Sequence, residues 1–293
     1  MFILAHLSDP HLAPLPKARL HELIGKRITG FANWYYRRRV IHDPAVLARL
    51  VAGLKATGTD HIAVTGDFAS IALPAEFERA RNWLAGLGSP HDVTAIPGNH
   101  DAYVRGALAM MQRACGAYMR GDNQGEAFPF VRRRGPIALI GLSTAVPTAP
   151  FMATGWLGEN QIKRLGGLLD GLKREGLFRA VLIHHPPASE AARHKRLVDA
   201  AEFLRVIAGH GAELILHGHD HIHQLHWLDG PDGRVPAIGV PSASAAPGTS
   251  EDAAGYNLYR IDGRPGAWRC EMETRGMSGD GKLAMLKRTV LIA

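Results

Sequence analysis

Apolar residues along the chain fall into short runs that stop abruptly at glycine, proline or a charged side chain. Phe2-Ile3-Leu4-Ala5-His6-Leu7 gives way to Ser8-Asp9-Pro10-His11, and His61-Ile62-Ala63-Val64-Thr65 to Gly66-Asp67. Val93-Thr94-Ala95-Ile96 stops at Pro97-Gly98 and then presents Asn99, His100 and Asp101. Runs of this length, bounded by turn formers, read as buried strands. Between them, apolar positions recur at helical spacing. Asp43-Pro44 sets an N-cap before a proline at the first helical position and opens a helix that Gly58 ends. Pro74 to Leu87 reads as the next helix, with Glu76 and Glu78 in its first turn where they complement the helix dipole. A third is predicted from about Ala102 to Ala114.

The alternation continues with strands at Ile137 to Leu142, Arg179 to His184 and Ala212 to His217, and helices at Glu159 to Lys173 and Val198 to Ala208. It predicts a largely parallel sheet whose strand ends gather along one edge, where open α/β sheets bind ligands. After His217 the pattern changes to short β segments at Gln224 to Leu228, Val235 to Val240, Tyr256 to Ile261 and Trp268 to Thr274, which predict a second, more antiparallel sheet. No repeat or low-complexity linker interrupts the chain, so one domain over residues 1–293 is expected, with Pro241 to Ser250 as a loop.

Composition adds bounds. The 293 residues are 46% apolar, enough for a substantial core. Cys115 and Cys270 stand far apart, which disfavours a disulfide framework or a thiolate zinc site and favours a reducing compartment. The N-terminus lacks a basic flank, and no stretch nears the roughly 20 apolar residues of a membrane span. A cytoplasmic protein is expected, with a peripheral seat on the inner face of the membrane as the alternative. The net charge of +7 is concentrated: Lys17, Arg19, Lys26, Arg27, Arg37, Arg38 and Arg39 face Glu22 alone, seven minus one or +6. Such a field attracts anionic partners without choosing among them. In the same segment Leu20, Leu23, Ile24, Ile28, Phe31, Trp34 and Tyr35 fall at near-helical spacing, broken by Gly25 and Gly30, so a basic aromatic helical insertion is predicted at about 17–42.

Five strand ends carry Asp9 and His11, Asp67, Asn99 and His100, His184 and His185, and His217, His219 and His221. A lone histidine among the 16 is ordinarily a packing or surface residue; five such sets, each ending a β run, are harder to explain as packing. Carboxylate, imidazole and amide oxygen without thiolate suit Mn, Fe, Zn or Mg better than a soft metal. Asp101 reads as the cap of the following helix, with orientation of His100 as the alternative.

In order and spacing, Asp9-Pro10-His11, Gly66-Asp67, Gly98-Asn99-His100-Asp101, His184 of His184-His185-Pro186 and Gly218-His219-Asp220-His221 resemble the motifs of the calcineurin-like metallophosphoesterase superfamily. The resemblance spans Asp9 to His221. It implies a four-layer αββα sandwich, two mixed β-sheets flanked by helices, with two metal ions at one end; Mn and Fe lead, and Zn and Mg are the alternatives. It places Asp9, His11 and His221 on one metal and Asn99, His184 and His219 on the other, with Asp67 bridging. His100 would stabilise the transition state or protonate the leaving alkoxide while a metal-bound hydroxide attacks phosphorus in line. His185 and His217 fall outside the motif positions and are read as structural.

Gly155-Trp156-Leu157-Gly158 with Gln161 and Leu165 is similar to a segment of the branch containing bacterial cyclic-nucleotide and glycerophosphodiester phosphodiesterases. Leu142-Ser143-Thr144 departs from that branch's Asp-Ser pair. A phosphodiester is the expected substrate. The alternative resembles the UDP-2,3-diacylglucosamine hydrolases, which act on a membrane-borne pyrophosphate; a non-catalytic scaffold is a third reading, opposed by the full ligand set and His100. Candidate substrate contacts are Arg37, Arg38, Arg193 and Lys195, against a solvated helix start at Arg193 to Arg196. Lys26 to Arg39, where Trp34, Tyr35 and Tyr36 adjoin three arginines, reads as a lipid-headgroup contact or as an insertion packed on the core with its arginines solvated. Nucleic acid is disfavoured, since one basic segment lacks a further basic groove. The oligomeric state is left open.

Overall fold

Period-two burial along the strands separates the layers. In the computed structural model, which describes residues 1–125 and 128–293, strand β1 (Phe2–Leu7) sends Phe2 and Leu4 into a core shared with Leu139, Phe178, Leu182 and Tyr259. Its alternate residues Ala5 and Leu7 enter a different core, with Leu50, Leu54 and Phe77 from two helices. A third core joins the outer faces of the remaining strands, through Ile140, Val181 and Ile215, to Leu165, Leu169 and Phe203 of two other helices. Helix, sheet, sheet and helix therefore stack in four layers, because the central strands are apolar on both faces and must be covered on both.

The further strands are β2 (His61–Val64), β3 (Val93–Ala95), β4 (Phe130–Arg134), β5 (Ile137–Gly141), β6 (Phe178–Leu182), β7 (Leu214–His217), β8 (Gln224–Gly230), β9 (Gly233–Gly239), β10 (Gly255–Arg264), β11 (Ala267–Met277) and β12 (Leu283–Ile292). One sheet runs β12-β11-β10-β1-β2-β3 and the other β4-β5-β6-β7-β9-β8. Both are mixed: β1 is parallel to β2 and antiparallel to β10, and β5, β6 and β7 are parallel while β4 pairs antiparallel with β5. The four-layer architecture agrees with the expectation drawn from the motifs.

The pairing differs from the pattern-based reading. The C-terminal segments do not form a sheet of their own: β8 and β9 extend the second sheet beyond β7, and β10 to β12 return to pair with β1. The early strands likewise divide between both sheets. Hydrophobic pattern identifies a strand but carries no information about its neighbour. Two strands were not predicted. In β4 three consecutive arginines mask the alternation, although Arg132 is buried with its guanidinium donating to the main-chain oxygens of Pro90, Val93 and Ala117. β12 is a largely exposed edge strand interrupted by Lys287 and Arg288.

Helices occupy Pro44–Lys55, Pro74–Leu87, Ala107–Cys115, Glu159–Arg174 and Ala200–His210. Asp43 caps the first, accepting from the Ala45 N–H at 2.7 Å. Glu76 does more than complement a dipole: it is buried and accepts from the Ser70, Ile71 and Leu73 N–H groups, fixing the loop after β2. The third helix begins five residues later than predicted, after Gly106, because Asp101 has other partners than a helix terminus.

The basic segment forms a short 3₁₀ turn (Leu20–Leu23), a helix (Lys26–Asn33), a π turn (Trp34–Arg38) and a final helical turn (Arg39–Ile41). Gly30 is where it meets the body of the protein: a Cβ there would collide with the Tyr103 hydroxyl and with Ile71.

Candidate metal centre

The loops following β1, β2, β3, β6 and β7 converge at one end of the two sheets. Their backbones are unusual. Among the described residues, eight non-glycine positions have positive φ, and Asp9, His11, Asp67, His219 and His221 are five of them, at 35° to 72°. That region disfavours residues with a Cβ and is retained where surrounding structure fixes side chains for a purpose. Gly98 has a different reason. Its φ is not in the left-handed region, but a Cβ would strike the Asp67 carboxylate.

Two groups of donor atoms result. In one, Asp9, His11, Asp67 and His221 each place an atom within 4.8 Å of the others; in the second, Asp67, His184 and His219 do the same. Asp67 belongs to both: its Oδ2 lies 3.5 Å from His184 Nε2 and 3.9 Å from His11 Nε2, while its Oδ1 accepts from the His100 N–H. Asn99 completes the second group, its Oδ1 being 3.1 Å from His184 Nε2 and 2.8 Å from His219 Nδ1.

Each imidazole is oriented through its outer nitrogen. His11 Nδ1 faces the Ala69 carbonyl, His184 Nδ1 that of Thr65 and His219 Nε2 that of Lys195, at 3.1, 2.6 and 2.8 Å. His221 Nδ1 instead meets the Glu251 carboxylate at 2.8 Å. With those nitrogens donating, each inner nitrogen is aimed into the space among Asp9, Asp67 and Asn99, where a neutral ring presents a lone pair, which is how ligating histidines are held. His11 Nε2 and His221 Nε2 then face each other at 3.4 Å.

Burial lowers the proton affinity of every ring. Beside the carboxylates that effect is overcome: Asp67 lifts His184 to about 9, and Asp9 with Glu251 lifts His221 to about 10. Burial likewise opposes ionisation of Asp9, yet His221 keeps its carboxyl well below the usual range. The cluster attracts positive charge. Its oxygen and nitrogen donors, converging on two adjoining points, fit a pair of divalent or trivalent cations without selecting the element.

His100 adjoins both groups. Its Nδ1 donates to the Ser70 carbonyl at 2.5 Å, the ring stacks on Tyr103, and its centroid lies 5.1 Å from that of His11. Burial, then the Arg38 guanidinium 3.4 Å away, push it down to about 3, so the ring is neutral in the free protein. Arg38, Lys195, His219, His221 and Glu251 line a cavity of about 600 Å³ at the site. Arg37 and Arg193 are exposed and outside that lining. A second cavity, of about 500 Å³, lies among Lys173, Arg179 and Trp268 and contains none of these residues.

Asp101 neither caps a helix nor orients His100. It is fully buried, and its carboxylate accepts from the N–H groups of Asp67, Phe68, Ala69 and Gly98, so it shapes the turn that carries the shared aspartate. Burial and the Asp67 charge push it up to about 8 against those four donors. His185 packs its ring 4.2 Å from that of His219 and 5.0 Å from that of His184, with its nitrogens engaged by Thr144 Oγ1 and the Ala153 carbonyl, and His217 Nδ1 faces the Gly218 carbonyl. Gln161 exchanges hydrogen bonds with the main chain of Ser143, and so ties the segment after β5 to its following helix.

Three site residues were not singled out from sequence. Glu251 sits in a loop with no periodicity and no motif. His42 packs 4.4 Å from His11 and hydrogen-bonds Ser244, and Ser242 donates to the Asp9 carbonyl. The signal available for His42 was its place beside the Asp43 cap.

These features define a metallophosphoesterase fold with a dinuclear-type ligand cluster. The sequence profile described as Calcineurin-like phosphoesterase matches residues 2–223, and the chain belongs to that family. A probable cyclic nucleotide phosphodiesterase of Synechococcus sp. is 26% identical over 286 residues, covering 92% of this chain and 91% of that protein. Among solved structures, a dimetal phosphatase from Danio rerio superposes with a TM-score of 0.65 at 13% identity, over 99% of this chain and 98% of that one. A purple acid phosphatase from yellow lupin gives 0.60 at 11% identity, over 97% of this chain and 52% of that one.

Proposed function

We propose that the protein is a dinuclear metal-dependent phosphodiesterase acting on a small diester, with cyclic nucleotides the leading class. The observation that carries this reading is the sharing of Asp67 between the two donor groups. Asp9, His11 and His221 would hold one cation and Asn99, His184 and His219 the other, with Asp67 available to both; Mn or Fe is the leading choice. Bound there, the metals supply a nucleophilic oxygen at neutral pH and neutralise the phosphoryl charge.

The remaining work falls to the chain's own groups. Arg38, half-buried at the cavity, holds a non-bridging phosphate oxygen. His100, with Nδ1 fixed on Ser70, offers Nε2 to the scissile group. An arriving phosphate anion raises that ring's proton affinity, so that Nε2 takes up a proton from solvent as the substrate binds and delivers it to the leaving alkoxide, returning to the neutral ring. The substrate class rests on the Synechococcus relative, whose similarity runs over nearly the whole chain.

The test is turnover of cyclic AMP and of a chromogenic diester after reconstitution with Mn, with metal content measured alongside. Diester hydrolysis that falls about 100-fold or more in His100→Ala with both metals retained is expected, together with loss of metal in Asp67→Asn. A protein that holds two metals and turns over only monoesters or a lipid pyrophosphate overturns the diester reading. Undiminished activity in both variants overturns the mechanism.

A further inference from the structure

The two segments that send Arg38 and Lys195 into the site cavity also carry exposed apolar side chains, and so does a third stretch hydrogen-bonded to both. Leu20, Ile24 and Ile28 of the basic segment are 91%, 74% and 60% exposed. From two distant stretches of chain come Phe151, Trp156 and Val198, at 83%, 54% and 68%. The three stretches are knit together. Lys26 Nζ donates to Thr148 Oγ1 at 2.7 Å and to the Met152 carbonyl; the Ala153 N–H donates to the His194 carbonyl, and the Val198 N–H to that of Gly155. Arg38 and Lys195, from two of these stretches, line the site cavity.

Charge is distributed with the apolar groups. The basic segment carries its +6, and Arg193, Lys195 and Arg196 add to it across the mouth, with Glu190 at the edge. Arg39 lies over the Tyr35 ring at 4.2 Å, a cation held against an amphipathic aromatic. Isolated exposed apolar residues need no explanation, but several of them interleaved with cations on three hydrogen-bonded stretches beside the site do. A second copy of the same face is disfavoured, since two strongly basic faces repel. Anionic headgroups complement the cations while the acyl boundary takes up the apolar tips. Among the described residues no helix is long and apolar enough to cross a membrane.

We infer that residues 17–42, 149–156 and 193–198 form a docking surface for a bilayer containing anionic lipid, which turns the cavity mouth toward the headgroups. This is independent of which phosphoester is hydrolysed. The experiment is flotation of the full chain with vesicles of phosphatidylcholine alone and of phosphatidylcholine mixed with phosphatidylglycerol, at low and high salt. Binding to the mixed vesicles that weakens with salt is expected. It should fall at least about tenfold in Lys17→Glu/Arg39→Glu and again in Leu20→Ser/Ile24→Ser/Phe151→Ser, whose sites are exposed. Hydrolysis of a soluble diester without vesicles, measured on the same preparations, should be unchanged, which separates a failed surface from a failed catalyst. Absence of flotation, equal binding to neutral vesicles, or binding that survives both variants overturns the proposal. Self-association lost in the apolar variant, without flotation, assigns the face to a second copy and overturns it too.

Discussion

The two halves of the ligand cluster are supported differently. In the half containing Asn99, His184 and His219, the outer nitrogens of both rings face main-chain carbonyls. In the half containing Asp9, His11 and His221, one ring faces a main-chain carbonyl and the other leans on a side chain, Glu251, that reaches in from a remote loop. Main-chain support is indifferent to the side chain of the residue supplying it. Carboxylate support can be altered by one substitution, and it makes the imidazole it touches a more basic ligand. One half is therefore fixed by the fold and the other is adjustable within it.

The largest effect should come from removing the carboxylate that shapes the turn carrying the shared Asp67. Asp101→Ala leaves four buried main-chain N–H groups without their acceptor and should cost on the order of 3–5 kcal/mol of stability, measured by urea denaturation. An Asp101→Ala protein as stable as the parent would mean that the turn carrying Asp67 is held by other contacts. Next, Glu251→Gln keeps the shape of the side chain and removes its charge. It should weaken one metal by about 10- to 100-fold and leave the second unchanged, seen as metal content falling from two ions toward one at limiting supply. Equal weakening of both ions would erase the distinction between the halves. The smallest effect is expected for Lys195→Ala, because His219 is held by the residue's carbonyl; metal affinity should move by no more than about twofold, and a larger loss would show that the lysine side chain also supports the ring.

Some of this was legible in the chain and some was not, for physical reasons. The strand-end motifs are local, so a β run stopping at glycine or proline places its polar residues at the sheet edge whatever the partner strands are. That is why the five strand-end sets could be grouped from sequence, while the choice of His184 over His185 and of His219 over His217 came from the resemblance to the superfamily. Pairing is non-local, and the return of β10 to β1 left no mark on either segment. Asp101 followed by an amphipathic run has the form of a cap, yet its carboxylate is taken by backbone groups of residues 67 to 69, more than thirty positions upstream. Glu251 belongs to the same class: its partner His221 is thirty residues away, and a carboxylate in a loop of small residues carries no periodic signal.

The left-handed backbones at Asp9, His11, Asp67, His219 and His221 bear on the protein's evolutionary prospects. Glycine adopts such angles without steric cost, so exchanging any of these five for glycine relieves strain at that position. Selection for metal binding must hold those residues in place against a local gain in foldability.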